Sequence, residues 1–203
     1  MTMSTEKNDK AHLLKLRELT GAGMMDCKAA LDEAKGDLKA AQDIIRRKGL
    51  DIAKKKSTRE VKEGQVASYI HAGGKLGVLV EINCESDFVA KNEQFQEFVR
   101  NIAMQIAASF PLYVSSQDIP AADMEREQRN FTEELKNKPE AVRQKILEGK
   151  LAKRFEEVCL LNQKYIKDDS KTVQDYLSET IARIGENIVI RRFVRFEVGG
   201  SQH

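Results

Sequence analysis

The residues able to make or break bonds are few and scattered. His12, His71 and His203 lie far apart, and none neighbours a cysteine or serine in a recognisable nucleophile motif. Separation along the chain does not by itself exclude a triad in space. Cys27, Cys84 and Cys159 form no C-x-x-C pair and no Cys/His cluster, so neither a zinc site nor a disulfide framework is expected. All three read as reduced core cysteines. The glycines of Thr20-Gly21-Ala22-Gly23 suggest a phosphate loop, but such a loop continues with a lysine for the phosphates and a hydroxyl for magnesium. Here Met24, Met25 and Asp26 follow, and a tight interhelical turn explains the glycines better. Gly73-Gly74-Lys75-Leu76-Gly77 sits in a hairpin and opens no helix, so it is no dinucleotide fingerprint. Carboxylates are abundant but fall mostly on solvated helix faces. No catalytic residue, metal ligand or cofactor is expected, and the chain does not read as an enzyme.

Two segments carry binding chemistry instead. In Asn83-Cys84-Glu85-Ser86-Asp87-Phe88-Val89-Ala90, Asp87 and Phe88 fall on a turn between a buried strand and a long helix. A phenylalanine there either folds back as a lid on the core or projects as an aromatic anchor for a partner's pocket, with a neighbouring charge to orient it. Composition does not choose between these. Met24 and Met25 pose the same question beside the glycine turn. Adjacent helix positions point about 100° apart, so the two are not expected to be equally buried. One is expected in the core, the other as an adaptable surface contact.

The elements that must position these residues follow from periodicity. Residues 12–49 read as three short helices, with Leu13, Leu16 and Leu19, widened by Leu14, on the first. Cys27, Ala30, Leu31 and Ala34 mark the second, and Leu38, Ala41, Ile44 and Ile45 the third. Gly36 and Asp37 punctuate the second and third helices, and Gly49 is expected to end the third. Residues 53–64 are polar and largely basic: either a nucleic-acid or ribosome-binding patch, or a solvated tether, helical at its start. The tether is favoured because the charge is local and no aromatics are interleaved.

A hairpin over 65–84 has Val66, Ser68 and Ile70 alternating on its first strand, His71-Ala72-Gly73-Gly74-Lys75 as its turn, and Leu76, Val78, Val80, Ile82 and Cys84 alternating on its second. A helix follows from about Lys91 to Ser109. Residues 121–157 read as two charged helices broken at Asn137-Lys138-Pro139, the second with an apolar seam of Val142, Ile146, Leu147, Leu151 and Phe155. Another helix is expected from Thr172 to Ile184, ended by Gly185. The last strand, 187–198, does not alternate cleanly: either it bulges at Arg191–Arg192, or both its faces are partly covered, by a helix or by a second subunit.

The chain has 203 residues, a third of them charged, with 34 basic and 32 acidic side chains for a net charge of +2. That balance argues against a dedicated nucleic-acid binder, which carries a basic excess or stripe. No apolar run approaches the roughly 20 residues of a membrane-spanning helix. The polar N-terminus has no signal-peptide core, and a cytoplasmic location is expected.

At its candidate binding segments the chain resembles a known family. Residues 16–37 (LRELTGAGMMDCKAALDEAKGD), 83–95 (NCESDFVAKNEQF) and 184–199 (IGENIVIRRFVRFEVG) resemble, in order, the three signatures of elongation factor Ts. The resemblance covers nearly the whole chain. It implies an α+β fold: an N-terminal three-helix UBA-like (ubiquitin-associated-like) module over 1–52, a basic linker over 53–64, and a core over 65–203. That core is an antiparallel three-stranded sheet packed with helices and carrying a helical hairpin at 121–157. It implies a guanine nucleotide exchange factor for the translational GTPase elongation factor Tu, with Ser86, Asp87, Phe88 and Val89 as the magnesium-dislodging segment. Ser86 stands where threonine is usual and keeps the hydroxyl. Met24 and Met25 match the N-terminal module's contact with the same GTPase. The chain has sequence for one core subdomain, as in the short members that pair as homodimers. Some relatives reinforce that pairing with a cysteine in the last strand, where this chain has Val194, so the dimer is expected to be non-covalent. No membrane and no specific nucleic acid are implied as partners.

Overall fold

A computed structural model of the chain describes residues 2–135 and 139–200, with the side chains of 2–9 and 141 left aside. Three helices open it: α1 (Thr2–Thr20), α2 (Met24–Glu33) and α3 (Leu38–Lys56). Their shared core is Leu16, Cys27, Ala30, Leu31, Ala41, Ile44 and Ile45, with Leu13, Ala34 and Leu38 partly buried against it. Leu14 and Leu19 face water. The reason is geometric: two steps of three residues carry Leu19 about 120° round the helix from Leu13, off the buried stripe. Asp37 caps α3 as expected, its carboxylate accepting from the Lys39 and Ala40 amides at 2.8 and 3.0 Å.

Gly49 does not end α3. The helix runs on for two further turns to Lys56, burying Gly49 and Ala53. A Cβ at Gly49 would lie 3.8 Å from the Ser178 carbonyl oxygen, so burial against that neighbour offsets the helix penalty of glycine, about 1 kcal/mol. The basic stretch after it is helical to Lys56 and largely exposed beyond it, with two fixed contacts. Lys56 Nζ donates to the Gly185 carbonyl at 2.6 Å, and Arg59 pairs with Glu85 at 3.5 Å.

Strands β1 (Glu63–Ile70), β2 (Leu76–Cys84) and β5 (Ile188–Glu197) form an antiparallel sheet in the order β1-β2-β5. Val78, Val80, Ile82 and Cys84 of β2 are all buried, which is the alternation the sequence announced. On β1 the alternating set Val66, Ser68 and Ile70 points to water. Neither face of β5 is wholly covered: Ile188 and Ile190 are buried, Phe193 and Val194 half-buried, Phe196 exposed. Between β2 and β5 come α4 (Asp87–Ala90), α5 (Glu93–Ser109), the pair α6 (Ala121–Glu134) and α7 (Glu140–Val158), a short hairpin of β3 (Lys164–Tyr165) and β4 (Asp168–Thr172), and α8 (Val173–Ile184). The α6–α7 pair is laced by Lys150 with Glu134 and by Arg154 with Glu127, and its apolar seam is only half-buried, with Val142 exposed. Asn137 and Lys138 lie outside the described residues; Pro139 caps α7. The β3–β4 hairpin carries no strand signal in the sequence, because Lys164–Thr172 is too charged to read as strand.

The chain divides into two compact units. One comprises Met1–Gln65, Ile82–Phe98 and Asp175–Val189, the other Val66–Glu81, Val99–Gln174 and Ile190–His203. Every candidate binding residue belongs to the first.

Gly64, at the start of β1, has φ +146°, and a Cβ there would stand 2.3 Å from the Ile82 carbonyl oxygen. Gly64→Ala is therefore expected to destabilise the fold by about 2–4 kcal/mol through strain and steric conflict. Thermal unfolding checks this, and an unchanged midpoint would refute the close approach.

Candidate functional site

Strand β2 ends at the buried Cys84, and the chain must then reverse into α5. Ser86 remains extended (φ −131°, ψ 156°) and caps the single helical turn of α4, its Oγ accepting from the Val89 amide at 3.4 Å. The Ala90 amide closes that turn on the Ser86 carbonyl at 3.2 Å. At its far end Gln96 Nε2 donates to the Ala90 carbonyl at 2.6 Å, and Asn92 Oδ1 accepts from the Gln94 amide at 2.8 Å to start α5.

No residue of α4 is buried. Phe88 is 83% exposed, so the lid reading is excluded: the ring stands in water on a capped turn. Asp87 forms an ion pair with Lys91 at 2.9 Å, one turn along. The Lys91 ammonium, donating to Asp87, holds that carboxyl below the usual aspartate range. Val89 is half-buried.

The root of the turn is tied to the junction between α8 and β5. Glu186 accepts from the Ser86 amide at 3.0 Å through Oε2 and from the Ser86 hydroxyl at 2.6 Å through Oε1. In return the Asn187 amide donates to Glu85 at 2.6 Å, and Asn187 Nδ2 donates to the Arg59 carbonyl at 2.9 Å. Sequence reading attached no role to Glu186 or Asn187, since they follow α8 a hundred residues later. The only local signal is the helix-ending Gly185, which frees the next residue to turn aside.

The remaining candidates separate from that turn. Met24 and Met25 open α2 after Gly23 and are 39% and 77% exposed. They differ as adjacent helix positions must, but neither enters the core, which α2 reaches through Cys27, Ala30 and Leu31. Tyr69 and His71 share a hydrogen bond at 3.0 Å on the β1–β2 hairpin, while His12 lies on α1 and His203 lies outside the described residues. Among the described residues no group of three His, Cys, Asp or Glu could hold a metal ion. Among the described residues no helix is long and apolar enough to cross a membrane. The arrangement is suited to docking: an exposed ring with an adjacent carboxylate, on a turn fixed at both ends.

Comparison with known proteins agrees across nearly the whole length. The profile of the family described as Elongation factor TS matches residues 32–200. An elongation factor Ts from Geobacter sp. (strain M21) is 56% identical over 191 residues, spanning 93% of this chain and 88% of its own. One from Thermoanaerobacter sp. (strain X514) is 56% identical over 186 residues, spanning 91% of each. One from Thermotoga petrophila is 51% identical over 185 residues, spanning 91% and 93%.

All three cysteines are free and buried. Burial first, then the negative charge of Glu186, pushes the Cys84 thiol up to about 11; burial does the same to Cys159. A thiol reagent at neutral pH is therefore expected to leave the native protein almost untouched and to react fully once it is unfolded. A fast-reacting native thiol, followed by absorbance, would contradict this packing.

Proposed function

The chain belongs to the elongation factor Ts family, and from that membership we propose that it is a guanine nucleotide exchange factor for the GTPase elongation factor Tu, acting in the cytoplasm. The observation that carries the mechanism is the exposed Phe88 ring on its capped turn. Phe88 enters the GTPase domain, Asp87 orients it, and the segment Ser86–Val89 disturbs the magnesium site. Met24 and Met25 supply a second contact from the N-terminal module. The division into module, linker and core belongs to this reading.

The energetics require more than one contact. A nanomolar nucleotide is held by about 12 kcal/mol, and magnesium bridging the phosphates is a major part of such sites. Burying one phenylalanine contributes about 1.5–3 kcal/mol. A factor that binds the empty GTPase more tightly than the loaded one weakens nucleotide binding by the same ratio. A two-pronged grip adds the contacts of the N-terminal module to that of the ring, and GTP then displaces the factor. No bond of the nucleotide is made or broken by this chain.

A non-covalent homodimer completes the reading. The second unit leaves Val66, Ile70, Leu79, Phe196 and Val198 in water. Ile70, Leu79, Phe196 and Val198 line one depression of about 440 Å³. Exposed apolar clusters of this kind mark interaction surfaces.

Phe88→Ala is expected to slow stimulated GDP release about 10- to 100-fold at a fixed factor concentration. The fold should be unaffected, since the ring touches no core. Stopped-flow release of fluorescent GDP measures this, and an unchanged rate removes Phe88 from the mechanism. Phe196→Arg is expected to convert a dimer to a monomer in sedimentation velocity; a dimer that survives it would place the interface elsewhere.

A further inference from the structure

A four-residue helical turn cannot hold itself. It closes too few backbone bonds to offset the entropy of ordering its residues, and helices this short are unstable without outside contacts. Core packing does not supply them here, since none of Asp87, Phe88, Val89 or Ala90 is buried. The turn is held at its two ends, and the N-terminal end is the more elaborate. Glu85 and Ser86 exchange bonds with Glu186 and Asn187: one carboxylate accepts both the amide and the hydroxyl of Ser86, and the Asn187 amide donates to the other carboxylate, Glu85. Arg59 closes the set by pairing with Glu85 and accepting from Asn187 Nδ2.

We infer that Glu186 is a positioning residue for nucleotide exchange: its carboxylate fixes Ser86 so that the capped turn presents Phe88 ready-formed to the partner. This rests on the reading of Phe88 given above. Ser86 has one hydroxyl, which must both donate to Glu186 and accept from the Val89 amide. The hydroxyl makes both bonds at once, so the carboxylate acceptor at 2.6 Å holds the oxygen where the Val89 amide can reach it. Hydrogen bonds to an ionised carboxylate are the strong kind, and two of them converge on one residue. Without Glu186 the turn opens, and the partner must select the fraction of molecules in which it is formed. Apparent affinity falls by that fraction, while the rate at saturation is preserved.

The full-length Glu186→Ala and Glu186→Gln variants test this with two readouts. The first is amide hydrogen exchange in the free protein. Val89 and Ala90, whose amides bond to Ser86, are expected to exchange about tenfold faster or more in Glu186→Ala, with the core of α5 unchanged. The second is the dependence of GDP release on factor concentration. The half-saturating concentration is expected to rise about tenfold in Glu186→Ala with the maximal rate retained, and Glu186→Gln, which keeps one acceptor oxygen for the two Ser86 donors, to fall between Glu186→Ala and the parent. In a Phe88→Ala background the same substitution is expected to have little effect on release.

Unchanged protection of Val89 and Ala90 would overturn the proposal whatever exchange does. Equal loss of protection at these amides and across α5 would also overturn it, by making Glu186 a general support of the fold. A fall in maximal rate at constant half-saturation would place Glu186 in the partner contact instead. Faster amide exchange with Phe88→Ala itself silent in GDP release would leave the clamp standing and discard the reading of Phe88.

Discussion

A phenylalanine kept in water forgoes about 1.5–3 kcal/mol of burial, and the proposed activity depends on one short turn that holds Phe88 there. Ser86 caps the turn, Gln96 receives its far end, and the Asp87–Lys91 pair spans it. The strand before it is anchored by a row of buried side chains ending at Cys84, so the reversal begins from a fixed point. The helix after it is anchored at once by Phe95 and Phe98, both fully buried. Two rigid elements thus pin a segment that contributes nothing to the core. That division of labour is general: surface loops carry function when a packed scaffold positions them.

Preorganisation decides how the binding energy is used. On the proposed reading, a ring already projecting would lose little further freedom on docking, so more of its burial would appear as affinity for the empty GTPase. In the proposed grip the methionines at the start of α2 would work differently, their unbranched side chains adapting to an irregular surface. In the proposed grip a rigid wedge and an adaptable pad act together. Linkage then turns their preference for the empty state into nucleotide release.

Much of the scaffold was legible in the sequence because its signals are local. Gly73 and Gly74 mark the hairpin turn, Asp37 the start of α3 and Gly185 the end of α8, and β2 alternates from Val78 to Cys84. What escaped was decided by neighbours distant in the chain. Gly49 continues α3 because Ser178 packs against it, and no window around residue 49 contains that fact. Leu14 and Leu19 count as apolar in any stripe, yet the rotation of α1 leaves them exposed. At the site, the Asp-Phe pair announced a turn but not the direction of the ring. The Glu186 and Asn187 bonds to that turn join residues a hundred positions apart, so only the folded chain reveals them.

The central claim is that the ring acts by disordering the magnesium site of its partner. The most direct measurement is GDP release from elongation factor Tu, with and without this chain, in excess magnesium and again in excess chelator. If the claim holds, the chain accelerates release strongly with magnesium present, and the factor of acceleration shrinks once the metal has been removed. No acceleration in magnesium, or the same factor under both conditions, would contradict it.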